Sequence, residues 1–68
     1  MKTNLKKCRV DNGYTVAQVA AELGITPQSI YQFESGKKTP NIFRLTQLSK
    51  LYDVKIDELI GGEINENI

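Results

Sequence analysis

Glutamines stand at positions 28 and 32, four apart, a spacing that puts both amides on one face of a helix. A glutamine amide carries two donors and an acceptor on one planar group. Two such groups side by side suit recognition of a partner with a matching pattern, although in isolation soluble surface is the better description of them. The chain holds little else of chemical interest. It has no histidine and a single cysteine, Cys8, so neither a structural zinc site nor a disulfide is available. There is no phosphate-cradling glycine loop, and Asp57 and Glu58 are helix neighbours that point in different directions. An enzyme is therefore not expected, nor a cofactor, a metal or a small-molecule substrate.

Charge is uneven along the chain. The formal net charge is only +1. Residues 1–52 carry Lys2, Lys6, Lys7, Arg9, Lys37, Lys38, Arg44 and Lys50 against Asp11, Glu22 and Glu34. Residues 53–68 carry Lys55 against Asp53, Asp57, Glu58, Glu63 and Glu66. A basic body with an acidic end is compatible with one face meeting phosphate, and equally with ordinary surface charge. The first residues are basic but lack the following apolar run of a secretory signal. No stretch approaches the ~18 apolar residues of a membrane helix. A lone cysteine fits a reducing cytosol. These features point to a soluble cytoplasmic chain with no membrane partner.

Positioning any of these groups in 68 residues requires one compact domain, and helix packing with or without a second subunit is the route left open. Glycines and prolines divide the chain into short segments. Gly13, Gly24, Gly36 and Gly61-Gly62 each follow an apolar-periodic run, where a helix ends in a left-handed residue. Thr15 to Gln18 has the form of a capping box, and Thr26-Pro27 pairs a hydroxyl cap with proline at the first helical position. The pattern predicts a first helix over about Asn4 to Asp11, with Leu5 and Cys8 inward. A second covers about Val16 to Leu23, burying Val19, Ala20 and Leu23. A third covers about Pro27 to Glu34 or Ser35, with Ile30 and Phe33 inward. A fourth runs from about Ile42 to Tyr52 behind an Asn41 cap, its inner stripe Ile42, Leu45, Leu48 and Tyr52. A short fifth, about Ile56 to Ile60, begins at Lys55, a poor cap. No strand is predicted. Residues 1–62 form the domain and 63–68 a short tail.

Only Gly24, Ile25 and Thr26 separate the second and third helices, so the two must cross steeply. The window VAQVAAELGITPQSIYQFES, residues 16–35, resembles the helix-turn-helix of the lambda-repressor-like, Cro-type family, also called the XRE family. Val19, small Ala20, Leu23, Gly24, Ile25, Ile30 and Phe33 each match the residue type of that motif. Leu5 with Arg9, the exit Glu34-Ser35-Gly36-Lys37, the run from Pro40 through Leu51, and Val54 to Ile60 extend the likeness over about residues 4–60. The sequence departs from the family at Val16, where glutamine is usual, and at Pro27, where many relatives carry a polar residue.

The resemblance implies an all-α, compact five-helix bundle whose second and third helices form the helix-turn-helix. It further implies a sequence-specific, double-stranded DNA-binding transcription regulator. Thr26, Pro27, Gln28, Tyr31 and Gln32 would then face base edges in the major groove, with Gln28 and Gln32 the main readers because glutamine pairs with adenine, Tyr31 packing on a thymine methyl or bonding a phosphate, and Lys6 or Lys7 either solvated or touching the backbone. Thr15, Val16, Lys37, Lys38, Thr39, Asn41 and Arg44 would meet phosphates. Arg9 and Glu34 match a pair that is buried in several relatives and implies a structural bridge. Ile60, Ile64 and Ile68 recur every four residues, and Leu59, Ile60 and Ile64 are the candidates for a two-fold interface. That interface would serve a homodimer on a pseudo-palindromic operator. With no separate effector domain in view, repression by occlusion is the simpler expectation. The alternative is a protein-interaction module, antitoxin-like or a co-regulator, with DNA contact reduced.

Overall fold

In the computed structural model, which describes residues 3–61, hydroxyl and amide caps set the start of the three longest helices. The elements are α1 (Leu5–Asp11), α2 (Val16–Leu23), α3 (Pro27–Ser35), α4 (Ile42–Tyr52) and α5 (Ile56–Leu59), with no strand among the described residues. At α2 the reciprocal capping box is complete. Thr15 Oγ1 accepts from the Gln18 amide at 3.1 Å, and the Thr15 amide donates to Gln18 Oε1 at 2.8 Å. Thr26 Oγ1 accepts from the Ser29 amide at the head of α3, and Asn41 Oδ1 accepts from the Arg44 amide at the head of α4. Each bond satisfies an amide that the helix itself leaves unpaired. Lys55 makes no such bond, in keeping with the shortness of α5.

The termini of the domain close on each other. Asn4 was expected inside the first helix but sits just ahead of it. Its backbone amide donates to the Leu59 carbonyl at 2.8 Å and its side-chain amide to the Glu58 carbonyl at 2.9 Å. These are carbonyls that a four-residue helix cannot satisfy internally. Asn4, just ahead of α1, thereby caps the end of α5.

The core gathers one face of every helix: Leu5 and Cys8, then Val16, Val19, Ala20 and Leu23, then Ile30, Leu48, Tyr52 and Leu59. Tyr14, Ile25, Phe33, Leu45, Leu51 and Val54 pack around it, half-buried. Tyr14 and Tyr52 meet in a tilted ring pair with centroids 6.1 Å apart, the kind of offset contact aromatic quadrupoles favour. Burial drives the pKa of the Tyr52 phenol upward and keeps it neutral.

Two expectations about apolar residues are corrected here. Ile42 does not join the inner stripe of α4; it is 68% exposed, and Phe43 beside it 65%. The buried residue at that end is Pro40, and the first turn of α4 runs past the edge of the core. Leu59 and Ile60, expected to offer an interface to a second subunit, are 0% and 7% exposed, because the chain's own core covers them. Ile64, Ile68 and the expected tail lie outside the described residues.

The end of α4 also differs from the pattern of glycine stops. Asp53 occupies the left-handed region there, at φ 55°, with the Val54 amide returning to the Ser49 carbonyl at 3.1 Å. Aspartate tolerates this conformation better than most residues but still carries a Cβ that glycine lacks. Its carboxylate also sits at the negative end of the helix dipole. Both effects disfavour the native residue. Asp53→Gly is expected to stabilise the fold by about 0.5–1 kcal/mol, read as a higher midpoint in urea unfolding with an unchanged slope.

Candidate nucleic-acid interface

Gly24 makes the corner that turns α2 into α3. It adopts φ 72°, a conformation in which a side chain is strained, and the Ile25 amide reaches back to the Ala20 carbonyl at 3.0 Å. Ala20 is buried where α3 packs on α2. Ile30 and Phe33 close the underside of α3, and Ile30 is its one fully buried residue.

A residue on a helix turns by about 100° from the one before it. With Ile30 inward, Gln28 and Gln32 fall together on the far side. Gln28 is exposed and Gln32 half-buried, and among the described residues no hydrogen bond holds either side-chain amide. Pro27 is exposed at the head of the helix. Thr26 is exposed too, but its hydroxyl is engaged with the Ser29 amide and, at 3.1 Å, with the Ser29 hydroxyl. That leaves the Thr26 methyl group as its free chemistry. Tyr31 stands apart from the glutamines. It is 60% exposed but sits on the flank of α3 that faces α1, in a cleft lined by Lys6, Arg9, Tyr31, Glu34 and Ser35.

The residues expected at phosphates divide in the same way. Lys37, Lys38 and Thr39 are exposed in the loop after α3, which folds back so that the Lys38 amide donates to the Gln32 carbonyl at 3.2 Å. Asn41 uses Oδ1 as the α4 cap and keeps its amide nitrogen. At α2, the Thr15 hydroxyl oxygen accepts within the capping box and keeps its proton to donate, and the Val16 side chain is buried in the core. What α2 can offer an anion is the pair of first-turn amides of Val16 and Ala17. Arg44 is committed furthest. Its Nη1 donates to the Leu23 carbonyl at 3.1 Å and to Gln47 Oε1 at 2.8 Å, and the guanidinium lies 5.8 Å from the Phe43 ring centroid. It ties the end of α2 to α4.

Arg9 and Glu34 form the expected bridge. Arg9 Nε lies 2.6 Å from Glu34 Oε2 and Nη2 donates to Oε1 at 3.3 Å, with the two side chains 12% and 8% exposed. Arg9 Nη1 also donates to the Tyr14 carbonyl at 2.9 Å. One guanidinium thus joins α1, the turn before α2, and α3. The hydrogen bond to Glu34 raises the Arg9 pKa further. Burial pushes the Cys8 thiol up as well, which keeps it protonated and suits a core role. Among the described residues no group of histidine, cysteine or carboxylates is placed to hold a metal, and no helix is long and apolar enough to cross a membrane.

Sequence reasoning did not find the Arg44–Leu23 tie, the exposed pair Ile42-Phe43 or the Lys6–Tyr31 neighbourhood. The last two had a signal available. The Asn41 cap fixes Ile42 and Phe43 in the first turn of α4, where a helix most readily overhangs its core. Helical rotation from Ile30 places Tyr31 off the face of Gln28 and Gln32.

A tight glycine corner between two short helices, with the second helix closed beneath and open above, defines a helix-turn-helix domain. The comparisons with known proteins agree. A family model described as helix-turn-helix matches residues 5–59, and the chain belongs to that family, the XRE type of helix-turn-helix. It is 38% identical over 65 residues to the uncharacterized HTH-type transcriptional regulator YqaE of Bacillus subtilis, covering 96% of this chain and 56% of that one. It is 43% identical over 58 residues to the SPbeta prophage-derived regulator YonR of the same organism, covering 85% and 54%. The chain thus spans about half the length of these relatives. A solved transcriptional regulator from Listeria innocua superposes with a TM-score of 0.78 at 26% identity, covering 90% of this chain and 61% of that one.

Two stability measurements check the framework of the site. Arg9→Met and Glu34→Leu are each expected to cost about 3–5 kcal/mol, since either leaves a desolvated partner unpaired. The double variant should cost clearly less than their sum, and additive thermal melts would refute the bridge. Arg44→Gln should cost about 1.5–3 kcal/mol through the lost charged hydrogen bonds. Lys37→Gln should stay within about 0.5 kcal/mol of the parent, and equal melting temperatures for these two variants would refute the Arg44 tie.

Proposed function

We propose that this chain is a sequence-specific regulator of transcription that binds double-stranded DNA with α3 in the major groove. The observation that carries this reading is the pair of unpaired amides, Gln28 and Gln32, held outward on a helix whose opposite side is fixed to the core. A glutamine amide matches the N6 donor and N7 acceptor of adenine, so the proposed half-site contains adenines at the positions these two meet. The Pro27 ring and Thr26 methyl group offer apolar contact, suited to a thymine methyl.

The backbone would be held by the Val16 and Ala17 amides at the start of α2, by Lys37, Lys38 and Thr39, and by the free amide nitrogen of Asn41. Helix N-termini favour anions, and each lysine placed on a phosphate releases counterions. Thr15 and Arg44 support this surface from behind. The regulator is proposed to repress by occluding its site, as a homodimer on a pseudo-palindromic operator with recognition helices about one DNA turn apart, ~34 Å. A relative from Vibrio cholerae, 34% identical over 61 residues, is named a cryptic phage transcriptional repressor, and one from Enterococcus faecalis, 39% identical over 59 residues, a transcriptional activator, so repression is proposed on the simplicity of occlusion and not on these names. Leu59 and Ile60 are engaged in the core, and Ile64, the third expected interface residue, lies outside the described residues.

Selection of bound duplexes from a random pool tests the proposal. The expected outcome is one enriched, two-fold symmetric sequence. The variant with both Gln28→Ala and Gln32→Ala should lose discrimination at the adenine positions by about 1–3 kcal/mol per base pair while keeping salt-dependent binding. Full selectivity in that variant would overturn the assignment of readers. Failure of the parent chain to retain any duplex at low salt would favour a protein-interaction module.

A further inference from the structure

The two adjacent lysines of α1 face different surroundings. Lys7 lies with Asp11, Nζ to Oδ2 at 3.0 Å, and lines a cleft shared with Asp57 and Glu58 of α5. Its ammonium is held charged by the Asp11 hydrogen bond first of all. Lys6 has turned the other way. It is exposed, has no ion-pair partner among the described residues, and borders the cleft of about 260 Å³ between α1 and α3 that Tyr31 overhangs. The carboxylate in that cleft, Glu34, is already neutralised by Arg9 through two contacts of 2.6 and 3.3 Å. The uncompensated charge left there is positive, and it stands beside a phenol on the flank of the recognition helix.

We propose that Lys6 and Tyr31 together hold one phosphodiester of the bound DNA, a backbone contact made from α1 and separate from the one made by the Lys37-Lys38 loop. The inference rests on the DNA reading above and changes the part played by Tyr31. The phenol hydroxyl donates to a phosphate oxygen and the lysine ammonium neutralises it, so Tyr31 fixes the rotation of α3 in the groove and does not read a base. A phosphate contact positions and carries no sequence information of its own.

The experiment titrates the full chain with the duplex that it selects, and with single-base variants of that duplex, by fluorescence anisotropy at several salt concentrations. Lys6→Gln should make the slope of log affinity against log salt shallower by about 0.9. Lys7→Gln, whose partner lies on the other side of α1, should leave the slope as it was. Tyr31→Phe should weaken all duplexes alike, about two- to tenfold, and keep their order of preference. Circular dichroism confirms that each variant is folded. An unchanged slope in Lys6→Gln, or a reordered preference in Tyr31→Phe, overturns the subsite while leaving the DNA reading intact. A parent chain that binds no duplex at all overturns both.

Discussion

A nine-residue helix that fully buries one side chain, Ile30, has too little apolar area to fix its own orientation. At roughly 1.5–3 kcal/mol for a buried aliphatic residue, burial alone leaves α3 free to roll. What removes that freedom is the Arg9–Glu34 bridge at one end and the Gly24 corner at the other. The bridge is directional, since a guanidinium meets a carboxylate in a fixed plane. It also reaches the Tyr14 carbonyl, so the turn before α2 and the end of α3 are referred to one point on α1. The outward direction of Gln28 and Gln32 is therefore set by a polar contact on the opposite side of the helix. Its cost is desolvation, and its return is geometry, which is the use of a buried ion pair that physics best supports.

The second constraint is a conflict between capping and contact. In so small a domain the polar residues near helix starts are few, and each can satisfy either the protein or a ligand. Thr15 and Thr26 have their hydroxyls taken up by backbone amides, Asn41 has its oxygen taken, and Arg44 has one nitrogen shared between Leu23 and Gln47. Among the described residues, the groups that stay free are the amides of Gln28 and Gln32, the lysines of the loop after Gly36, and Lys6 of α1. A capping residue gives the site its rigidity, and an uncapped neighbour gives it its reach. A surface built this way depends on its supports as much as on its contacts.

How much of this was visible in the sequence follows from which interactions are local. The caps at Thr15, Thr26 and Asn41 were legible because a cap bonds three residues away. The core faces of α1, α2 and α3 were legible because their periodicity is local as well. The bridge between Arg9 and Glu34, 25 residues apart, was reached only through the family resemblance. Ile42 was misplaced because periodicity reports a face and not where the core ends along the helix axis. Ile60 was misplaced because a four-residue repeat near the end of a chain looks alike whether its own core or a second subunit covers it. Asp53 gave no glycine to announce a left-handed stop. The tie from Arg44 was not legible because the carbonyl it serves belongs to Leu23, 21 residues earlier.

Electrostatics ties these strands together. With a net charge of +1, the protein as a whole exerts almost no pull on a polyanion, and any preference in approach must come from how charge is distributed. On α1 the distribution is resolved to a single residue. Lys7 is engaged by Asp11 and lies near the acids of α5, whereas Lys6 faces α3. Asp11 thus engages the lysine turned away from α3, and the one beside α3 has no ion-pair partner among the described residues. Arg9, the other cation on that side, is neutralised by Glu34 and serves structure alone. A nearly neutral chain therefore keeps Lys6, Lys37 and Lys38 as unpaired cations around the helix that bears the two glutamines. In the proposed DNA contact these three lysines would carry the attraction to phosphate nearest that helix.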